Sequence, residues 1–186
     1  AANNIKGAKE IKFSVVRYGN VMGSRGSVIP HFLKIAPSGK LDITDLEMTR
    51  FNISLKEGVD MVFWAMNNNH GGEIFVPKIP SYRITDVAEA IGPSCEKRIS
   101  GIRPGEKLHE EMISSSDSYS TIDIGKYYAI LPTYNSPIDK YKKSGNIVNY
   151  VKKGFSYTSN MNDDFLTVNQ LRNLIIHNID PNFVPF

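Results

Sequence analysis

Apolar and polar positions alternate along this chain in two different periods, and the change from one to the other marks its elements. Lys12 to Val16 (Lys-Phe-Ser-Val-Val) is a short β-branched and aromatic run that predicts a buried strand. Residues 17–27 follow, with Gly19, Gly23 and Gly26 predicting an irregular loop. A short helix is expected over 28–36, capped by Ser27 and with Pro30 in its first turn. Residues 41–44 predict a strand. Ser54 and Glu57 form a capping-box pattern ahead of Leu55, Val59, Val62, Phe63 and Met66, which recur at helical spacing. That stripe predicts an amphipathic helix over 55–68, with Trp64 and the methionines in the core. Residues 73–76 predict another strand, and Thr85 is the expected cap of a helix ended by Gly92-Pro93. A strand over 98–102 and a helix over 106–113 are expected next. From 114 to 162 the pattern weakens to loops with short strands around 127–131. Thr167 and Gln170 form a second capping box before Val168, Leu171, Leu174 and Ile175, which predict the last helix. Alternating strands and helices predict an α/β architecture, and no internal repeat appears.

Composition narrows the class. With 41% hydrophobic and 10% aromatic residues in 186, the chain can build one globular domain or part of a larger one. The net charge of +3 comes without lysine and arginine blocks, which argues against nucleic-acid binding. Lys140, Lys142, Lys143, Lys152 and Lys153 read as a solvated face. The single cysteine, Cys95, excludes an internal disulfide and fits a reducing, cytoplasmic setting. No run approaches the roughly 18 apolar residues of a membrane span. Asn52-Ile53-Ser54 matches a glycosylation sequon by chance. The chain opens without Met; Ala1 to Asn4 read as the tail of a helix and Lys6 to Lys9 as its stop, so an upstream portion is expected.

Chemistry concentrates in 102–110, Ile-Arg-Pro-Gly-Glu-Lys-Leu-His-Glu. The planar fork of Arg103 matches a phosphate in bidentate fashion. Pro104 and Gly105 set a turn, and the helix start expected beyond it would add partial positive charge. Asn20 sits in the loop beyond the first strand, where ligands bind in doubly wound folds, and its amide can both donate to and accept from sugar or phosphate oxygens. Arg50 could join Arg103 on one pyrophosphate; its plainer alternative is an ion pair with Glu47. His31, His70, His109 and His177 share no metal-ligand spacing, and His109 is not part of a zinc-binding His-Glu-x-x-His pattern because residue 113 is Ile. No metal site is expected. Nucleophile-elbow, Gly-x-Gly-x-x-Gly and P-loop patterns are absent from the sequence.

Several motifs taken together resemble the extended short-chain dehydrogenase/reductase family. They are Arg17-Tyr18-Gly19-Asn20-Val21, Gly23 to Pro30, Ile43-Thr44-Asp45, Met48-Thr49-Arg50-Phe51, Gly72 to Pro77 and Arg103 to Lys107. Within that family they are most similar to the UDP-N-acetylglucosamine 4,6-dehydratases, in the C5-inverting branch that opens pseudaminic acid synthesis. The resemblance runs over 1–113 and continues more loosely to the C-terminus, through Gly154 to Ser159. It implies the C-terminal part of a Rossmann fold plus a smaller α/β substrate-binding region. The expected division is the end of the Rossmann-type domain at 1–35, a UDP-sugar region at 36–113, and an extension with a terminal helix at 114–186.

The resemblance further implies conversion of UDP-N-acetylglucosamine to a UDP-4-keto-6-deoxy sugar for bacterial surface or flagellin glycans. NADP would be held mainly by an N-terminal half, and the catalytic residues would also lie upstream of Ala1. Asn20 would contact the diphosphate or the sugar. Val28, Ile29, Pro30, His31, Phe32 and Thr44 would line the uridine side. Arg50 and Arg103 would clamp the diphosphate, and Glu106 would accept from the ribose or order the clamp. A homo-oligomer is expected of the full-length enzyme. The alternatives are a UDP-sugar epimerase or 5-epimerising capsule dehydratase, and a non-catalytic UDP-sugar-binding module.

Overall fold

A computed structural model describes residues 11–133, 136–143 and 148–186. The helix tail and stop expected within residues 1–10 lie outside the described residues. In chain order the elements are β1 (Val15–Val16), β2 (Asn20–Val21), α1 (Val28–Ile35), β3 (Lys40–Ile43), β4 (Thr49–Ile53), α2 (Leu55–Asn68), β5 (Ile74–Pro77) and β6 (Ser81–Arg83). Then come α3 (Ile84–Ile91), β7 (Glu96–Ile99), β8 (Glu111–Ile113), β9 (Thr121–Asp123), β10 (Tyr127–Ile130), α4 (Ile138–Lys143), β11 (Asn149–Tyr150), β12 (Tyr157–Thr158) and α5 (Val168–Asn178). Short 3-10 turns cover Ala36–Ser38 and Asp117–Ser120.

The chain divides into two compact units, each assembled from separated stretches. One takes the described residues through Tyr18, then Lys56–Lys78 and Glu111–Tyr157; the other takes Gly19–Leu55, Ile79–Glu110 and Thr158–Phe186. In the first unit the sheet order is β1-β5-β10-β9-β11, with β1 parallel to β5 and the remaining pairs antiparallel. Its core gathers Met61 and Ala65 of α2 with Phe75, Ile122, Tyr127, Ala129 and Tyr141. Trp64 meets Phe75 edge-on and lies 4.2 Å from the Tyr127 ring centroid.

The second unit carries two small sheets. β2 runs parallel to β4, placing Asn20 beside Asn52, while β6 runs antiparallel to β4, placing Tyr82 beside Arg50. β3 and β7 pair in parallel. Phe32, Leu41, Ile43, Val87, Ile91, Leu171 and Ile175 build the core between them. Gly19 lies so near β4 that a Cβ there would sit 2.4 Å from Phe51 Cβ. The close approach of β2 to β4 therefore requires glycine at this position.

Several expectations need correction. No helix forms over 106–113. The carbonyls and amides of 108–110 bond to β4 and to Ser159 instead, and Glu111–Ile113 is strand. The first strand is confined to Val15–Val16, and Val15 is exposed. The loop at 17–27 contains β2. Strand pairing runs over 96–99 because Glu96 N–H already bonds to Gly39 O. Arg83, not Thr85, holds the N-cap position of α3. The stretch from 114 is more regular than its composition implies, with β9, α4 and β11 added to the expected strand.

The α2 stripe is the largest reversal. Leu55, Phe63 and Met66 are 69%, 60% and 67% exposed, and the buried face is Gly58, Met61 and Ala65. Met61 and Ala65 meet the core of the first unit with Trp64 packed beside them, so the covered face is not the most apolar one. Helical spacing finds a stripe but does not say which stripe is covered.

The last helix follows expectation. Thr167 is its N-cap, with the side chain accepting from Gln170 N–H and the Gln170 side chain accepting from the Thr167 N–H. Thr167→Ala should lower stability by about 1 kcal/mol. That corresponds to a fall of about 2–4 °C in thermal midpoint for a chain of this size, read by calorimetry, with Thr167→Ser close to wild type.

Candidate functional site

A cleft of about 210 Å³ opens in the second unit, lined by Gly26, Val28, His31, Phe32, Asp42, Thr44, Arg103 and Glu106. Three pieces of chain converge on it. The first turns of α1 supply Val28, His31 and Phe32, which share a helix face. β3 supplies Asp42, whose carboxylate accepts from Arg98 Nη2 at 2.8 Å, and Thr44 follows directly after the strand. The turn at 103–106 supplies the remaining two. Its Glu106 N–H donates to Arg103 O at 3.0 Å, and Gly105 takes φ +80°, a left-handed conformation that glycine adopts without strain. This turn brings the Arg103 and Glu106 side chains to the same cleft. The Arg103 side chain has no protein partner among the described residues, so its five donors remain available.

Arg50 stands behind the cleft wall. Only 9% exposed, it uses Nη1 twice, donating to Thr49 O at 2.7 Å and to Leu108 O at 3.0 Å. Its Nη2 faces Glu106 Oε1 at 3.7 Å. The alternative pairing of Arg50 with Glu47 does not occur.

A buried hydrogen-bond network fixes the segment that follows this turn. Ser159 Oγ donates to Thr49 O at 3.2 Å and accepts from Glu110 N–H at 2.9 Å. Thr49 Oγ1 lies 2.7 Å from Ser159 Oγ and 2.9 Å from His109 Nδ1. Because the Ser159 hydroxyl is spent on the Thr49 carbonyl, Thr49 Oγ1 donates to Ser159 and accepts from an Nδ1–H of His109. Glu110 Oε2 accepts from Phe51 N–H at 2.8 Å. Burial raises the Glu110 carboxyl above its usual range, and the Phe51 bond and the Arg50 and Lys107 charges oppose that rise. Burial, then the Glu110 charge, also drives the Tyr82 hydroxyl upward, against a hydrogen bond with Asn20 and the Arg50 charge.

Of the residues singled out from sequence, Val28, His31, Phe32, Thr44, Arg103 and Glu106 line this one cleft. Asn20 is bonded to Tyr82, Ile29 turns into the core, and Pro30 and Arg50 are not on the lining. Because 106–113 is not a helix, the helix start expected there does not add positive charge beside Arg103. Sequence reading missed Asp42 and Glu110. Asp42 was signalled by alternation in Lys-Leu-Asp-Ile, where Leu41 and Ile43 are buried and Asp42 points out. Glu110 carried no signal, because its burial depends on contacts with β4, far away in the chain. Asn52 of the sequon is buried and points no amide at solvent. Among the described residues no cluster of metal-ligating side chains occurs, and no helix is long and apolar enough to cross a membrane.

The fold and cleft define the chain as the C-terminal part of an extended short-chain dehydrogenase/reductase fold with its smaller α/β region. A crystal structure of Pen from Bacillus thuringiensis superposes with a TM-score of 0.80 at 31% identity, over 95% of this chain and 53% of that one. The chain belongs to the polysaccharide biosynthesis protein family, which matches residues 1–132. It is 49% identical over 183 residues to a UDP-N-acetylglucosamine 4,6-dehydratase (inverting) of Campylobacter jejuni, covering 95% of this chain and 55% of that protein. A UDP-glucose 4-epimerase of Rickettsia akari is 42% identical over 148 residues, 77% of this chain and 40% of that protein. The chain thus spans about half the length of the curated relatives it matches.

Glu110 gives the site a pH signature. Its folded pKa is raised, so its contribution to stability is fully present below the ordinary value of 4.5 and is lost as pH rises through the folded value. Glu110→Gln keeps an acceptor for Phe51 N–H and removes the titration. The urea midpoint of the wild type should fall relative to Glu110→Gln from pH 4.5 toward neutrality and then level off. A difference constant across that range contradicts the assignment.

Proposed function

We propose that this chain is the nucleotide-sugar-binding part of a UDP-N-acetylglucosamine 4,6-dehydratase that inverts C5, acting in the cytoplasm in the synthesis of bacterial surface or flagellin glycans of the pseudaminic acid type. The observation that carries this reading is the Arg103 guanidinium, unpaired and facing a cleft whose other walls are the start of α1 and Thr44. Agreement with the relatives' printed activity supports the substrate. At about 210 Å³ the cleft is below the usual 300–1,000 Å³ of a small-molecule site. It therefore suits the nucleotide end of the substrate rather than the whole of it.

In this reading the chain binds and orients. Arg103 holds the diphosphate in bidentate fashion, Val28 and Phe32 offer apolar contact to the base, and Thr44 and Glu106 offer polar contacts to the ribose side. Proton removal and hydride chemistry are assigned to no residue here. NADP belongs to the reaction as hydride carrier, but the chain has no Gly-x-Gly-x-x-Gly loop, so none of its residues is assigned to the cofactor. The whole enzyme is taken to be a homo-oligomer. The epimerase relative supports a second reading, a UDP-sugar 4-epimerase with the same nucleotide-binding cleft.

Titration calorimetry of the full-length protein with UDP tests the binding assignment. Arg103→Ala should weaken binding by about 2–4 kcal/mol, since a phosphate loses its charged partner. Affinity within twofold of wild type overturns the reading. Product analysis with UDP-N-acetylglucosamine separates the two enzymes: loss of water marks the dehydratase, whereas a C4 epimer of unchanged mass marks the epimerase.

A further inference from the structure

Arg50 and Glu106 are placed in a way that binding by two arginines does not by itself explain. Glu106 lines the cleft and Arg50 does not. The carboxylate lines the cleft and also faces Nη2 of the Arg50 fork, the terminal nitrogen not committed to main-chain carbonyls, since Nη1 already serves Thr49 O and Leu108 O. The contact is loose. Nη2 to Oε1 is 3.7 Å, longer than a hydrogen bond, and the other carboxylate oxygen has only the Arg103 N–H at 3.4 Å. By contrast, the Glu106 backbone is fixed by its own turn, so the side chain can leave Arg50 by rotating without moving the chain.

We propose that Glu106 is a specificity residue that competes with anions for Arg50. In the free protein its carboxylate occupies the charge-compensating position on the guanidinium. An incoming diphosphate must displace it, and the displaced carboxylate then sits unpaired beside a dianion unless the ligand supplies hydroxyl donors to receive it. A nucleoside diphosphate ester carries a ribose diol and can do so; inorganic pyrophosphate and phosphate cannot. Glu106 thus sets a penalty on bare anions and largely spares the nucleotide, so discrimination comes from an internal repulsive element rather than from added attraction. The inference rests on the reading of the cleft as a diphosphate site.

The test is calorimetric titration of the full-length protein with inorganic pyrophosphate and, separately, with UDP. Glu106→Gln should bind pyrophosphate about two- to fivefold tighter than wild type, the scale of one partly exposed ion pair removed. Its UDP affinity should rise less or fall, so the preference for UDP over pyrophosphate shrinks. Glu106→Asp, one methylene short of Arg50 but still charged, should shift pyrophosphate affinity in the same direction and guards against a folding defect peculiar to the amide. Unchanged or weaker pyrophosphate binding in both variants overturns the competition, even where Arg103→Ala still weakens UDP. An Arg103→Ala variant that binds UDP like wild type overturns the diphosphate site and the competition together.

Discussion

The organisation of the second unit depends on the cost of burying polar groups in β4. All five residues of that strand are buried, and three of them, Thr49, Arg50 and Asn52, are polar. A guanidinium withdrawn from water must find fixed acceptors, and the nearest source is the backbone of the segment that follows the 103–106 turn. Leu108 O accepts from both Thr49 N–H and Arg50 Nη1. Ser159, Thr49 and His109 close the remaining bonds. The segment at 108–110 is therefore held on β4 by hydrogen bonds to its polar groups, while Leu108 also packs against the apolar core. The turn that precedes it is delivered to the cleft as a consequence.

This explains which parts of the molecule could be read from sequence. The α/β class, α1, α3 and α5 follow from local periodicities, and the capping box at Thr167 from contacts within a few residues of itself. The charged pattern after Gly105 is equally compatible with a helix and with an extended segment. What decides for the latter is the demand of Arg50, more than fifty residues earlier, for the Leu108 carbonyl. The exposed apolar stripe of α2 failed for a related reason. Spacing identifies faces, but tertiary contact chooses among them, and the core of the first unit took the face of Met61 and Ala65. Six of the ten site residues singled out from sequence share one cleft, because three short motifs each place their side chains by local turn geometry alone. Asn20 and Arg50 do not, since Asn20 is drawn to Tyr82 of β6 and Arg50 to the Leu108 carbonyl.

The charges around the cleft are balanced unevenly. Asp42 is neutralised by Arg98, Arg50 gives Nη1 to carbonyls and is approached by Glu106, and of the charged side chains on the cleft lining among the described residues Arg103 is left open. The free protein thus presents one strong anion-binding group rather than a broad basic surface. That suits recognition of a small ligand and is consistent with a net charge of only +3. Affinity in such a site comes from a few directed hydrogen bonds, which geometry can make selective.

The chain's single tryptophan, Trp64, lies in the first unit against Phe75 and Tyr127. The cleft belongs to the second unit, whose aromatic complement is phenylalanine and tyrosine. Indole emission therefore reports on one unit and is blind to local events in the other. A ligand that occupies the cleft and leaves the emission unchanged acts within its own unit. One that shifts the emission reveals communication between the two, so a native chromophore serves as a built-in gauge of coupling without any added label.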